Sequence, residues 1–394
     1  YKNNPNIVFT GSVSGGLFKS TDAGNTWQVL NTFNQNLSVS SICITGTGRV
    51  YVGTGFLASS NSTIYNQAIF RESFVGDGIF YSDDLGDTWQ ELNVTQLSSN
   101  PPILKLESDP VNPNKIWIAG QGANIKLSTY DPTNGWNTLN FQSNNTVCDV
   151  KVSKDGQVII CGAGLASSVT TYVSTDGVQN FTNVSGTVPQ NKVPSNGHYR
   201  GVYAISHEKN TNGFWNLYAV FGRTNTISFN GVYVSEDHGN TWYQIAPGGS
   251  AAFNPTGSQA DYDIICHVAK GNPGKLFVAG LDMYEWNRAA GSIPTGQWHQ
   301  LTQWFLPEFL PGYLHADQHE MRYDDNGNLY IGSDGGNSRR FPMFGNIFNT
   351  SNRGYNCTQF YCMGYNAWGD VMGGTQDNGT QINNHQMATY QSFF

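Results

Sequence analysis

Charge is scarce in this sequence. Of 394 residues, 20 are Lys or Arg and 28 are Asp or Glu, so charged residues make up 12% and the net charge is -8 at neutral pH. With the basic residues scattered, only Arg339 and Arg340 being adjacent, no stripe can neutralise a row of phosphates, and the expectation is no nucleic-acid partner. No stretch approaches the roughly 18 apolar residues of a membrane helix. The opening YKNNPNIVF has no basic-then-apolar signal pattern, so the expectation is a mature or excised chain without membrane insertion. Helix formers such as Lys, Glu and Ala are few for this length. Six cysteines show no zinc spacing. Cys43, Cys148, Cys161 and Cys266 lie in apolar strand-like runs and read as small buried hydrophobes. Cys357 and Cys362 stand in the polar CTQFYC and are candidates for a local disulfide in a secreted chain.

Glycine and aromatics are plentiful. There are 45 Gly, and 13% of the residues are Phe, Trp or Tyr, a composition of strands and tight turns. One pattern, S-x-D-x-G-x-T-W, occurs intact three times: STDAGNTW (Ser20, Asp22, Gly24, Trp27), SDDLGDTW (Ser82, Asp84, Gly86, Trp89) and SEDHGNTW (Ser235, Asp237, Gly239, Trp242). Degraded copies are STDGVQNF, with Ser174 and Asp176, and STYDPTNGW at 128–136. The leading Ser positions, 20, 82, 128, 174 and 235, are 62, 46, 46 and 61 residues apart. Each interval holds an apolar run, a turn, a second strand such as KIWIAG or KLFVAG, a short third strand ending at the Asp, and a fourth beginning at the Trp. Four strands per repeat predict an all-β, seven- or eight-bladed β-propeller of four-stranded antiparallel blades. It fills 1–394 as one domain, within which 380–394 could begin a following segment. NIVFTGSV is already a second strand, so the first blade lacks its opener. QFYCMGYNAW and GDVMGGTQDNGT are two late strands that could close the ring by pairing with the first blade.

The Asp of the pattern can bond amides of its own turn, Gly supplies a positive φ and Trp anchors the hairpin, so these carboxylates are expected to be structural. The octapeptides resemble the Asp-box, or BNR, repeats of sialidases, sortilin-type ectodomains and xyloglucanase-type propeller hydrolases. The resemblance implies that they lie on blade edges away from any active site. HADQHEMRYDDNGNLYIGSDGG, with GGTQDNGT at 373–380, further resembles a secreted subgroup of sortilin-like bacterial propellers classed with glycosyl hydrolases, which implies a surface protein with further domains. The xyloglucanase-type enzymes carry T-D-x-G-G in their first blade; here GSVSGG puts Val13 where that Asp would stand. The early Arg-Ile-Pro of sialidases has only FRES (70–73) as its nearest match.

HADQH (315–319) opens a blade as its innermost strand. Period two then puts His315, Asp317 and His319 on one face, toward the central channel. Three readings stand: a metal site of those three residues, a ligand-contacting channel mouth, or a buried polar ladder. Other openers bring His198 and Arg200, and Asp261 and Asp263, to the same region, with Asp377 near the last strand. Glycoside hydrolysis needs two carboxylates flanking one bond, for which Asp263, Asp317 and Asp377 are the candidates. The loop QWFLPEFLPGYLH (303–315) offers Trp304 and Tyr313 to stack on a sugar or anchor a protein, and the insert 56–78 is a second candidate for specificity. The turn YDDNGN (323–328) could hold calcium or be an ordinary hairpin turn. Nine sequons, at Asn36, Asn61, Asn93, Asn144, Asn180, Asn183, Asn349, Asn356 and Asn378, permit glycosylation. The expected function is a secreted or cell-surface module that recognises a glycan or an extracellular protein without catalysis, with a glycoside hydrolase and a structural subunit of an extracellular filament or layer as alternatives.

Overall fold

The computed structural model describes residues 1–55, 75–121, 127–139, 146–164, 168–177, 180–186, 192–194, 198–223, 229–248, 253–260, 262–341, 345, 347–383 and 390–393. The insert 56–74, Asn61, Asn144 and Asp261 lie outside them. Eight antiparallel meanders follow one another, the first of three strands and the other seven of four, each strand pairing with the next in sequence. The first strands of sheets two to seven are Val39–Ile44, Ile103–Ser108, Val147–Val152, His198–Lys209, Ile265–Val268 and Gln318–Tyr323. From sheet two to sheet six each touches the first strand of the next sheet, and sheet one, opening with Val8–Ser12, touches the first strand of sheet two.

Sheet seven then meets sheet one. The Tyr330 hydroxyl donates to the Ala23 carbonyl (3.1 Å), Trp27 Nε1 to the Ser351 carbonyl (2.6 Å) and Thr10 Oγ1 to Asn337 Oδ1 (2.9 Å). The second strands of sheets two, three and four are covered on both faces by neighbouring sheets, which is why VYVGT, IWIAG and IICGA are buried at every position instead of alternating. Trp117, Trp242 and Trp286 fill the layers between sheets. Among the described residues no helix is long and apolar enough to cross a membrane.

The repeated octapeptide forms the turn from third to fourth strand. Ser235 Oγ donates to Asp237 Oδ1 (2.8 Å) and accepts from the Gly239 amide (2.7 Å), while Asp237 accepts from the Thr241 amide (2.8 Å) and its hydroxyl (2.5 Å). The same bonds recur at Ser20–Thr26 and Ser82–Thr88, and Asp176 holds Asn180 in the degraded copy. The Thr88 hydroxyl and amide and the Ser82 hydroxyl hold the Asp84 carboxyl down to about 2. Two consecutive residues are left-handed in each intact turn, Ala23, Leu85 and His238 (φ 58°, 57° and 60°) before the expected glycines. Replacing Asp237 with Ala is expected to lower unfolding free energy by about 1–2 kcal/mol through three lost bonds in a part-buried turn. Denaturant titration measures this; ligand binding should not change.

Three expectations are corrected. Phe360–Tyr365 and Val371–Thr375 do not pair with sheet one but open an eighth sheet with Thr380–Asn383 and Tyr390–Phe393. Closure is instead made between sheets one and seven by the side-chain bonds described above and by the Trp27 amide, which donates to the Arg353 carbonyl just after sheet seven (2.8 Å). Sheet eight leaves Tyr361, Met363 and Tyr365 exposed. Cys357 and Cys362 are free: Cys357 Sγ lies 2.9 Å from Ser12 Oγ, a contact to sheet one, while Cys362 is exposed on the first strand of sheet eight. The alternation through HADQH also breaks. The strand begins at Gln318, Asp317 is left-handed (φ 60°), and the register shifts between Gln318 and Glu320.

The residues that pair across the channel are accordingly Glu320 and Arg322. Lys105 Nζ bonds Glu320 Oε2 (2.6 Å), Arg322 bonds Glu107 through both terminal nitrogens (3.0 and 2.8 Å), and Lys151 bridges Glu107 and Asp149 (2.9 Å each). Three first strands, from sheets three, four and seven, each contribute two charges at i and i+2, and the six interlock.

Candidate functional site

In an antiparallel meander the second-to-third turn and the fourth-to-first connection lie at the same end of the strands, opposite the third-to-fourth turn. The Asp turns therefore share one end of the sheets that carry them, and the polar residues of the openers occupy the other. At that other end is a cavity of about 500 Å³ lined by Trp304, Phe305, Leu306, Pro307, Glu308, Tyr313, His315, Ala316, Asp317 and Asp377. The loop from sheet six to seven supplies all of these except Asp377, which sits in the turn between Val371–Thr375 and Thr380–Asn383 of sheet eight.

The loop is positioned by Asp282, in a second-to-third turn of sheet six. Its Oδ1 accepts from the Trp304 amide (2.8 Å), its Oδ2 from Gln300 Nε2 (3.1 Å), and burial pushes its carboxyl up to about 6. Trp304 and Phe305 meet edge to face at 6.0 Å and remain exposed (48% and 64%), so their faces are available to a ligand.

Asp317, Asp334 and Asp377 each bring one oxygen within 4.8 Å of the other two. Asp334 stands in the second-to-third turn of sheet seven and accepts from His319 Nε2 (2.9 Å) and the Tyr262 hydroxyl (2.7 Å). Burial opposes its charge, but these donors win and hold it below the usual carboxylate range. Asp317 is pushed up to about 6 by burial and by the Asp334 charge, against the pull of His319. Asp377 is raised by burial and by Asp334. Gln259 Nε2 donates to both Asp263 Oδ2 (3.0 Å) and Asp317 Oδ1, and burial pushes the wholly buried Asp263 up to about 8. His315 donates from Nε2 to the Asp377 carbonyl (3.0 Å), and Asn378 Nδ2 to the Asp334 carbonyl (3.1 Å), which pins sheet eight to the cavity. Asp317 and Asp377 are left-handed, and, apart from Asn100 and the three Asp turns, they are the only non-glycine residues so placed among those described. Strain of this kind is kept where the surroundings enforce it.

The metal trio His315, Asp317 and His319 is not assembled. His319 sits at the bulge and is committed to Asp334, and the group that could hold a cation or share protons is the three-Asp cluster, an oxygen set suited to hard ions. His198 does not line the cavity: it is buried, stacked on Phe221 (4.1 Å) and bonded through Nδ1 to Asn230, and burial holds its ring down to about 4. Arg200 supports the site from behind by donating to the Tyr262 carbonyl (2.7 Å). YDDNGN is a hairpin turn in which Asp324 accepts from the amide and side chain of Asn328 (2.8 and 2.7 Å). Of the sequons, Asn36, Asn93, Asn180 and Asn378 donate their amides to protein acceptors, the Asn183 Oδ1 accepts from the Ser185 amide, and Asn349 and Asn356 are exposed. Asp334, Tyr262, Gln259 and Asp282 were not singled out by sequence. Only Asp334 had a signal, the SDGG that ends the HADQH segment.

No family model matches the chain, and no curated protein does. Among solved structures it is similar to an ancestral GH74 enzyme, with 17% identity over 97% of this chain and 52% of that one and a TM-score of 0.66. The chain thus spans about half the length of that enzyme. It is also similar to U3-55K (8% identity, 83% of this chain and 85% of the other, TM-score 0.50) and to the Dos1 propeller (6%, 97% and 84%, TM-score 0.48). At these identities likeness speaks for fold alone, and with seven consecutive meanders touching through their first strands and the seventh bonded back to the first, the chain is a β-propeller.

Proposed function

We propose that the chain is a recognition module of a secreted or cell-surface protein and that it binds a glycan in the cavity at the channel mouth. In this reading, sheets one to seven are the blades of one closed ring, the octapeptide turns are its Asp-boxes, and sheet eight is an added wall of the site. One observation carries the proposal: Trp304, Phe305 and Tyr313 share a cavity with Asp317 and Asp377. Aromatic faces suit the C–H faces of a sugar, and carboxylates accept its hydroxyls. Replacing Trp304 and Tyr313 together with Ala should weaken glycan binding at least tenfold on an array and by calorimetry, with an unchanged unfolding curve. Undiminished binding would remove this cavity from consideration.

A second reading, glycoside hydrolysis, has one observation in its favour. Asp317 is raised and Asp334 lowered, the divergence that an acid and its ionised partner need. Against it, the oxygens approach within 4.8 Å, at or below the roughly 5–5.5 Å of retaining enzymes, and both Asp334 oxygens already accept bonds. Release of reducing sugar that Asp317→Asn abolishes would establish hydrolysis in place of binding alone.

A further inference from the structure

The oxygens of Asp317, Asp334 and Asp377 lie within 4.8 Å of one another, so a point exists no farther than about 2.8 Å (4.8 Å divided by √3) from all three, the N–O distance of a charge-assisted bond. A primary ammonium has three donors to offer at such a point. A calcium ion would want about six to eight oxygens at roughly 2.3–2.6 Å, and it would have no use for ring walls.

The rest of the cavity agrees. Glu308 adds a further acid to the lining, and neither Lys nor Arg is part of it. The fully buried Asp263 shares the Gln259 donor behind Asp317 and lies outside the lining, so the acceptors offered to a ligand are those of Asp317, Asp334 and Asp377. This cluster is rich in acceptors and short of donors, with His319, Tyr262 and Gln259 donating to its carboxylates. Trp304, Phe305 and Tyr313 stand on the same cavity. A cation attached to an apolar face satisfies both halves at once, by hydrogen bonds to the carboxylates and by cation–π and stacking contacts with the rings.

We propose that the cavity takes the primary ammonium group of an amino sugar, an inference that rests on the glycan reading above. The three carboxylates receive the ammonium and the 304–313 loop covers the sugar ring to which it is attached. An N-acetylated sugar lacks the charge and two of the donors, so the site discriminates against it.

Calorimetry on the intact chain tests this with a glucosamine oligosaccharide, its N-acetylated counterpart, a neutral glucose oligosaccharide, calcium chloride and a lysine-rich peptide. The expected result is at least tenfold tighter binding of the free-amine oligosaccharide than of the other two sugars. Asp377→Asn should erase that difference, since Asn tolerates the left-handed backbone there (φ 57°). Asp317→Asn is a second variant with the same expectation. Equal binding of all three sugars would overturn the ammonium inference and leave the glycan reading standing, whereas no binding of any sugar would sink both. A peptide that binds more tightly than the free-amine sugar, or calcium binding that Asp377→Asn abolishes, would reassign the carboxylates to that ligand and overturn the proposal. A preference that both Asn variants retain would mean adsorption to the net negative surface, which also overturns it.

Discussion

Replacing Asp263 with Asn is expected to make the protein more stable at pH 8 and to leave it nearly unchanged at pH 4. The Asp263 carboxyl is wholly buried, and burial is the main cause that pushes it up to about 8. Its Oδ2 accepts from Gln259, and its Oδ1 faces no donor that would reward a negative charge. In the unfolded chain the same group ionises near its ordinary value, about 3.9. The folded state thus holds a proton that the unfolded state releases, and this group's contribution to stability is complete below pH 4 and lost as pH rises through 8. At about 1.4 kcal/mol per pH unit the loss is on the order of 5 kcal/mol across that window. Asn is close in shape to the protonated acid and keeps the acceptor for Gln259, so the variant should lack this slope. Unfolding free energies at pH 4, 6 and 8 decide the matter: parallel curves for the two proteins would mean that Asp263 is ionised in the native state.

Lys151→Met is expected to cost about 3 kcal/mol, because breaking a buried ion pair leaves an uncompensated charge. The Lys151 ammonium bonds Glu107 and Asp149 at 2.9 Å each, and those carboxylates are 14% and 9% exposed. Arg322 still holds Glu107 after the substitution, but Asp149 loses its cation while it continues to accept from the Tyr203 amide on the next sheet (2.9 Å). The loss is confined to inter-sheet contacts around the channel. Adding Asp149→Asn should recover part of the cost, since the orphaned charge is then gone. Denaturant titration of the single and double variants tests both statements. A single-variant cost below about 0.5 kcal/mol would show that channel water screens these pairs as it does on a surface. Glu107 is held well below the usual carboxylate range, where burial opposes its charge and Arg322 and Lys151 more than offset it. Its contribution is present above the unfolded pKa and is lost as pH falls through the folded one, so acidification below pH 4 should weaken the channel network.

Much of the fold was legible because its signals are local. The Asp turns close within six residues, Ser20 with Asp22 and Gly24, Asp22 with Thr26, and the bonds that make them require nothing distant. The second strands of sheets two to four are covered on both faces, so apolar runs such as KIWIAG read as strands whatever follows them. The missing first strand of sheet one and the loop at 303–315 followed from the same grammar. One local inference failed for a local reason: period two was carried through HADQH, but a left-handed Asp317 and a bulge before Glu320 reset the faces.

The site and the closure were decided elsewhere. Asp334 meets Tyr262 across 72 positions, His315 meets Asp377 across 62, and Lys105 meets Glu320 across 215. Such pairs depend on which sheets become neighbours around the ring, and nothing within any one repeat encodes that. The same is true of the proton on Asp263, an acid whose composition-level reading is ionised and whose burial makes it neutral at pH 7. By itself the sequence determined the repeating unit, because a turn and a meander are closed by residues a few positions apart. Only the tertiary structure decided where the ring closes, which carboxylates share a cavity and what charge they carry, because those depend on proximity and desolvation between segments far apart in the chain.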